Sequence, residues 1–398
     1  MHILESGAEA FLRQAHRNNW QRYLASLQPD APQGWEVCVL TASNAHQAAM
    51  YRRQIQIREQ AGLLPAGTRF VVVADPQGVR IGSGGATLRV LRLLQDGEGI
   101  ESDAARVLVI HSGGDSRRLP HCSAIGKLFA PIPRALPDGR ASTLFDEFLI
   151  GLSGAAADLP PGVLVASGDV LLLFDHLQLA FRRAGVTGVA AAAPAETGTQ
   201  HGVYVCDQQR QLRAYLHKPS IDQLQQWQAI SPAGRVDIDT GLVWFDAPTV
   251  HTLCDLAGDP ALSAFCGAEA GQVSLQAGLN LYGDLLLPLD RATARDAYLA
   301  DTSDGPATPA VRAARRVIWD ALRGTPFAVD RLQPAAFLHF GTSRAYWRLL
   351  ADAPTLAKTY GWTAHAAAWI DPAHVEGCER VTAINAVLEG PVHAARPL

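Results

Sequence analysis

The stretch RVLVIHSGGDSRRLP, residues 106–120, decides the fold. Its first residues are apolar and β-branched, and they read as a buried strand over 107–111. A glycine pair, Gly113-Gly114, then turns the chain. Ligands of parallel α/β sheets sit at such strand ends. Paired glycines let backbone N–H groups come close to an anion. Arg117, Arg118 and, beyond them, Lys127 add full positive charge, and arginine forks match phosphate oxygens two at a time. A triphosphate is the natural ligand of a loop so built. The same residue types also describe a plain glycine turn with surface arginines. Neither GxxxxGK[ST] nor GxGxxG is met here.

Working outward, the same alternation recurs. Strands are expected over 35–41, 69–74, 162–167 and 188–193, with helices over about 4–28, 45–61, 86–95 and 142–155 between them. Ser43-Asn44 offers a cap for the second helix. Strands alternating with helices imply a Rossmann-like α/β fold, with a mainly parallel mixed sheet covered on both faces. From about 202 the pattern changes. Segments 202–206 and 211–216 read as a hairpin and 236–245 as a further strand, followed by helices over 309–323 and 342–351. The tail, 361–398, has short β-type pieces separated by Gly, Pro and Asn. It reads equally as the start of a β-solenoid or as a plain C-terminal β extension.

The chain has 398 residues, 48% hydrophobic and 18% charged, with net charge −4. A chain this long and apolar buries a large core, which excludes disorder as its main state. The acidic balance argues against nucleic acid as a partner. No apolar run is long enough for a membrane span. Glu5 and Glu9 interrupt what a signal peptide needs. Six cysteines without CxxC spacing read as reduced thiols, hence the expectation of a cytoplasmic protein.

Three further features carry chemistry. Gly82-Ser83-Gly84-Gly85 lies between a strand and a helix and could contact a base or a phosphate, or be a tight turn. Asp169, after strand 162–167, suits Mg²⁺, which takes few protein ligands and keeps phosphate oxygens and waters. It could equally cap a helix. Lys218, ending the hairpin, could neutralise a second phosphate or simply face solvent. His111, His121, His201, His217 and His339 fall at strand ends or in loops without zinc spacing, and read as polar contacts. No GxSxG elbow is present.

Together these motifs resemble the sugar-nucleotide pyrophosphorylases, the sugar-1-phosphate nucleotidyltransferases. Gly113 to Leu119 with Lys127 is similar to GGxGTRL…PK, with Ser116 in place of a glycine and Arg117 in place of a threonine. Gly168-Asp169 resembles the metal motif, His201-Gly202-Val203 the YGV element and Lys218-Pro219 the EKP element. Asp239-Thr240-Gly241 resembles NTG, Asn280 to Leu285 a helix-bordering acidic motif, and His339 to Tyr346 the DxGTPxxY element. These matches span 82–346. Gly82 to Leu88 resembles GTAGAL, which in that family follows the arginine loop. Here it precedes the loop, so the first βα units are permuted in sequence. That order resembles the fucose-1-phosphate guanylyltransferase domain, which occurs alone or fused to L-fucokinase.

The resemblance implies a nucleotidyltransferase (GT-A-like) domain over 1–360, with a solenoid starting at 361–398. It implies GTP and L-fucose 1-phosphate as substrates and possible fusion to a C-terminal kinase, whose own phosphate motif is absent here. Arg118, Lys127 and Lys218 would be catalytic. Gly82, Ser83, Gly84, Gly85, Gly113, Gly114, Asp115, Ser116 and Arg117 would bind nucleotide. Gly202, Asp239, Thr240 and His339 would lie at the sugar phosphate, and Asp169 would hold Mg²⁺. Where the family has a second metal carboxylate this chain has His339. Either that metal is lost, or Asp239 or Asp284 replaces the carboxylate, or His339 binds phosphate. Rival readings are the same chemistry on another sugar or nucleotide, a nucleotide-sugar-binding module without catalysis, and an NAD-dependent oxidoreductase.

Overall fold

Val37–Ala42, Arg69–Ala74, Arg106–His111 and Gly162–Ser167 alternate β-branched residues on both faces, and all four lie side by side in one sheet. In this computed structural model the described residues are 6–32, 34–98, 100, 103–112, 119–123, 125–136, 139–267, 278–339, 341–351, 369–370 and 387–388. In chain order, helix α1 is Ser6–Ser26, β1 is Val37–Ala42, α2 is Ala45–Gln60, β2 is Arg69–Ala74, α3 is Gly82–Glu98 and β3 is Arg106–His111. A small antiparallel pair, β4 (Pro131–Ala135) and β5 (Ala141–Thr143), leads into α4 (Leu144–Ala156). Then come β6 (Gly162–Ser167), β7 (Val170–Leu173), β8 (Val186–Pro194), β9 (Gly202–Cys206), β10 (Leu212–His217), β11 (Arg235–Asp246), β12 (Phe327–Leu332) and β13 (Ala336–His339).

Among the described residues the main sheet has nine strands in the order β10-β9-β11-β6-β3-β1-β2, with β8 on β11 and β12 on β8. Its β2-β1-β3-β6 half is parallel throughout. In the other half β11 runs antiparallel to β6, β8 and β9, and β9–β10 is the expected hairpin. The period-2 alternation of a strand sorts its side chains between two cores. Val37, Val39, Val107, Val109, Val163 and Val165 pack with Leu88, Leu91 and Leu94 of α3 and with the helices Ala247–Gly258 and Pro309–Leu322. Cys38, Leu40, Leu108, Ile110 and Leu164 pack on the other face, with Tyr51 of α2 and Phe145 and Leu149 of α4. Helices therefore cover both faces, as the alternation implied.

The early unit β1-α2-β2 joins the sheet directly beside β3, in parallel register from Val37 opposite Val107 to Leu40 opposite Ile110. Asn44 caps α2 by accepting the Gln47 N–H at 2.9 Å. Helix α3 starts four residues before the expected 86, at Gly82 itself. Segments outside the main sheet went unread, among them β7 and β13, which pair antiparallel, and 281–286, which forms a π-helical turn. Of the tail, only Trp369–Ile370 and Val387–Leu388 are described. They pair in parallel, Trp369 facing Val387. The rest of 361–398 lies outside the described residues.

A buried ion pair fastens the early unit to the α4 face. Arg58, near the end of α2, holds both oxygens of Asp146 at 2.6 and 2.8 Å, and both side chains are almost wholly buried. Asp146 also accepts the Thr143 N–H at 2.8 Å, closing the capping box of α4. Removing one partner of such a pair strands a buried charge, at about 3–5 kcal/mol. Asp146→Ala is therefore expected to lower unfolding free energy in urea by about that amount. The double change Arg58→Met, Asp146→Leu should recover most of it.

Candidate active site

The parallel strands β2, β1, β3 and β6 end on one edge, and a cleft of about 330 Å³ runs along it. The cleft passes from Asp75 after β2, through Thr41–Ser43 and His111–Ser112 at the ends of β1 and β3, to Ser167 and Asp169 after β6. Gly82, Ser83 and Arg80 form its lip. Strand order reverses between β1 and β3, since β2 lies on the far side of β1 and β6 on the far side of β3. Such a switch point is where open α/β sheets bind ligands.

Asp169 anchors the β6 end. The chain bends tightly here: the Gly168 N–H bonds the His111 carbonyl at 2.7 Å. A Cβ on Gly168 would collide with that same oxygen, so only glycine fits. Ser167 donates its hydroxyl to Asp169 Oδ1 at 2.9 Å. Lys127 Nζ reaches Oδ2 at 3.1 Å from a short turn whose neighbours, Leu128 and Phe129, are buried in the core. His339 Nε2 lies 3.4 Å from the same oxygen. The β7–β13 pairing explains this contact, because His339 sits opposite Val170, the residue after Asp169. Burial pushes the Asp169 carboxyl up, but His339, Lys127 and the Ser167 hydroxyl outweigh it and hold the group well below the usual carboxylate range.

The β9–β10 hairpin brings up a second cationic group. The Lys218 N–H bonds the His201 carbonyl at 3.0 Å. Lys218 has φ of 48°, a left-handed backbone that is unusual for a side-chain-bearing residue. The His201 ring packs edge-on against His339, with centroids 5.7 Å apart, and against Phe337. Burial, then the nearness of His339 and Lys218, lowers its pKa to about 4. Thus Lys127, Asp169, His339, His201 and Lys218, from five separate parts of the chain, share one edge. His201, taken as an ordinary polar contact, belongs to this group. Its signal was its place immediately before a strand that pairs back to Lys218.

Other expected site residues are differently placed. Gly84 and Gly85 do not offer their amides to a ligand: both donate to the Leu279 carbonyl, at 2.9 and 3.3 Å. The Ser83 hydroxyl accepts the Leu281 N–H at 2.9 Å. The close approach that glycine permits here is to the protein's own 279–281 backbone, and only Gly82 and Ser83 line the cleft. Thr240 is buried, with its hydroxyl on the Val189 carbonyl at 2.7 Å. Asp239 accepts hydroxyl hydrogen bonds from Tyr204 at 3.0 Å and Tyr215 at 3.3 Å. Burial raises its pKa, against the pull of these phenols and the Gly241 amide. A Cβ on Gly202 would strike the Tyr215 hydroxyl. Asp284 is not a replacement metal carboxylate, being buried in an ion pair with Arg315 at 2.7 Å. Residues Gly113, Gly114, Asp115, Ser116, Arg117 and Arg118 lie outside the described residues.

No group of three or more His, Cys, Asp or Glu gathers among the described residues. Asp169 is a single carboxylate flanked by the Lys127 ammonium and the His339 ring. That donor set suits Mg²⁺ only when phosphate oxygens and water supply the other ligands. The residues therefore fit a metal that arrives with a polyphosphate. No helix among the described residues is long and apolar enough to cross a membrane.

An open α/β sheet with a polar cleft at its switch point, lined by Asp75, Arg80 and Asp169, belongs to the class of folds that bind ligands at the carboxyl edge of parallel strands. The Fucose pyrophosphorylase domain matches residues 101–397, and the chain belongs to that family. The fucose-1-phosphate guanylyltransferase of Mus musculus is 30% identical over 363 residues, covering 85% of this chain and 60% of the mouse protein. The bifunctional fucokinase/GDP-fucose pyrophosphorylase of Arabidopsis thaliana is 30% identical over 311 residues, covering 68% of this chain and 28% of the plant protein. This chain thus spans about three fifths of the mouse relative's length. Among solved structures, HddC from Yersinia pseudotuberculosis overlays at TM-score 0.38 and 10% identity, covering 84% of this chain and 82% of that one, too loosely to bear on function.

Burial lowers the pKa of His111, which joins Thr41 and Thr87 on the cleft floor, from 6.5 to about 4. The folded state resists the proton that the unfolded chain accepts. Stability is therefore complete above pH 6.5 and falls as pH drops from 6.5 towards 4. His111→Gln should flatten that part of the urea-midpoint profile relative to the unmodified protein and leave its slope above pH 7 unchanged.

Proposed function

We propose that this protein transfers a guanylyl group from GTP to L-fucose 1-phosphate, giving GDP-L-fucose and pyrophosphate. The observation that carries the reading is the meeting of Lys127 and His339 at Asp169, at the carboxyl edge of the parallel strands, with the His201 ring against His339 and the Lys218 backbone bonded to His201. Membership of the Fucose pyrophosphorylase family and the named activities of the mouse and plant relatives support the choice of sugar and base.

In the proposed reaction a phosphate oxygen of the sugar phosphate attacks the α-phosphorus of GTP in line. The bond from that phosphorus to the oxygen bridging the β-phosphate breaks, and pyrophosphate departs with the electron pair. The attacking oxygen is already anionic at neutral pH, so neither a covalent intermediate nor a general base is needed. The obstacle is repulsion between two polyanions, and catalysis is positioning plus charge neutralisation. Lys127, beside Asp169, neutralises the α-phosphate in this reading. Lys218, with His201 and His339 beside it, receives the sugar phosphate. Arg118, helped by Arg117 and the amides of the 113–116 loop, takes the β- and γ-phosphates. Asp169 would hold Mg²⁺, which when bound spreads the negative charge of the phosphate oxygens. His339, in the place of the family's second carboxylate, serves phosphate rather than metal, since imidazole is a poor Mg²⁺ ligand.

The finer architecture follows the same reading. Residues 1–360 form a GT-A-like nucleotidyltransferase domain. The parallel pairing of Trp369–Ile370 with Val387–Leu388 supports a solenoid start in 361–398, and a fused kinase would follow it in longer relatives. A cytoplasmic setting is supported by the free thiols of Cys38, Cys122, Cys206, Cys254 and Cys266.

Phosphorus NMR of the protein with Mg²⁺, each nucleoside triphosphate and a set of sugar 1-phosphates reads donor, acceptor and product together. GTP with fucose 1-phosphate should be turned over fastest. GDP-fucose binding without turnover would instead make the chain a binding module. Arg118→Ala, Lys127→Ala and Asp169→Ala are each expected to lower kcat/KM about 10²–10³-fold. Near-normal turnover of purified Lys127→Ala would remove the Lys127–Asp169 pair from the mechanism.

A further inference from the structure

Strand β3 is apolar from Val107 to Ile110 and ends on an imidazole. By the strand's alternation His111 follows Val107 and Val109 towards the layer of α3, where an aliphatic side chain would simply extend the core. His111 lies instead on the cleft floor, between the end of β1 and the first turns of α3. Its Nδ1 is 3.0 Å from the Thr41 hydroxyl and its Nε2 is 2.9 Å from the Thr87 hydroxyl. Both threonines are engaged further. Thr87, wholly buried, donates its hydroxyl to the Ser83 carbonyl at 2.9 Å. Thr41 accepts the Ser112 N–H at 3.4 Å. These contacts fix the tautomer. Thr87 has one hydroxyl proton and gives it to Ser83, so towards the ring it can only accept, and Nε2 carries the hydrogen. Nδ1 is then bare and accepts the Thr41 hydroxyl. The opposite polarity would leave the Thr41 proton without an acceptor among the described residues. Burial keeps the ring neutral, with a pKa of about 4, as this arrangement requires.

We propose that His111, in its Nε2–H form, is a positioning residue that holds the two walls of the nucleotide cleft in fixed relation. It is the middle link of a one-way chain: Ser112 N–H to Thr41, Thr41 O–H to His111, His111 Nε2–H to Thr87, Thr87 O–H to the Ser83 carbonyl. This rests on the nucleotidyltransferase reading above and adds a residue that acts through others, since both ring nitrogens are already engaged. Each end of the chain is braced a second time. Gln47 accepts the Ser112 hydroxyl at 3.4 Å and the Ser43 N–H at 2.8 Å, and the Ser83 hydroxyl accepts the Leu281 N–H at 2.9 Å. Ser112 leads directly into Gly113-Gly114, and Ser83 stands on the cleft lip. Such spacing matters, because a misplacement of about 1 Å can cost about 10²-fold in rate.

Side-chain nitrogen NMR of the full chain at neutral pH reads the tautomer, with the His111→Gln spectrum identifying the resonances. A protonated Nε2 and a bare Nδ1 are expected, and an Nδ1–H ring overturns the proposal. Titration calorimetry with GTP and Mg²⁺, without sugar phosphate, reads the positioning. His111→Phe keeps a flat ring without hydrogen bonds and should weaken GTP about 10-fold. His111→Gln can still donate to Thr87 and should lose less. Thr41→Val together with Thr87→Val removes both links at nearly the same shape. The pair should cost about as much as His111→Phe, and adding it to His111→Phe should cost little more. Thermal melts show that each variant is folded at the titration temperature. Unchanged GTP affinity in the folded variants overturns the proposal, since His111 would then only fill the floor. Fully additive losses overturn it too. Weakened GTP binding in the variants, with no GDP-fucose made by the unmodified protein, overturns the proposed activity and leaves the positioning role standing. GDP-fucose synthesis with the same kcat and the same KM for GTP in every variant does the reverse. An unmodified protein that binds no GTP overturns both.

Discussion

Asp169 organises the cleft. Lys127 and His339 both reach its carboxylate, and a serine hydroxyl and a tight glycine bend hold it in place. A buried carboxylate is costly unless compensated. Here the compensation comes from Lys127, His339 and the Ser167 hydroxyl. The arrangement depends on chain geometry as much as on charge. It requires β7 to pair with β13, the Lys127 turn to be seated on Phe129, and Gly168 to lie flat against the end of β3.

The early place of β1-α2-β2 in the chain matters less than it first suggests. A parallel strand finds its place through hydrogen bonds and the burial of both faces, and the linkage between strands is secondary. The unit β1-α2-β2 lies beside β3, with its carboxyl end on the shared edge. The Arg58–Asp146 pair and the Tyr51–Phe129–Phe145 aromatic cluster tie it to the helical layer. The 279–286 segment then closes the lip of the cleft from the other side, through the glycines that open α3. Glycine tolerance in that loop therefore serves the docking of one backbone on another. A sequence pattern alone cannot tell this from backbone meeting a ligand, since both need only a missing Cβ.

The parallel half of the sheet was legible because its strands are short, apolar on both faces and separated by capped helices. Strands β2, β6 and β9 fall on the expected residues, and the other expected strands start and end within two residues of theirs. The candidate site was legible where a residue stands at a strand's carboxyl end, as Asp169 and Lys218 do. It was illegible where the role depends on a partner far along the chain. His201 becomes part of the site only through His339, and Asp239 carries no visible sign of the tyrosines around it.

By itself the sequence determined the alternation of strands and helices, the residues that punctuate the strand ends, and hence a doubly covered α/β sheet. These are local properties, set by side-chain period and backbone preference over a few residues. Only the tertiary structure decided which ends meet: that Lys127 and His339 share an oxygen of Asp169, that Gly84 and Gly85 serve Leu279, and that Asp75 stands at the far end of the same cleft. Such meetings depend on strand order and register, which are fixed by the joint burial of both sheet faces and belong to no single stretch of chain.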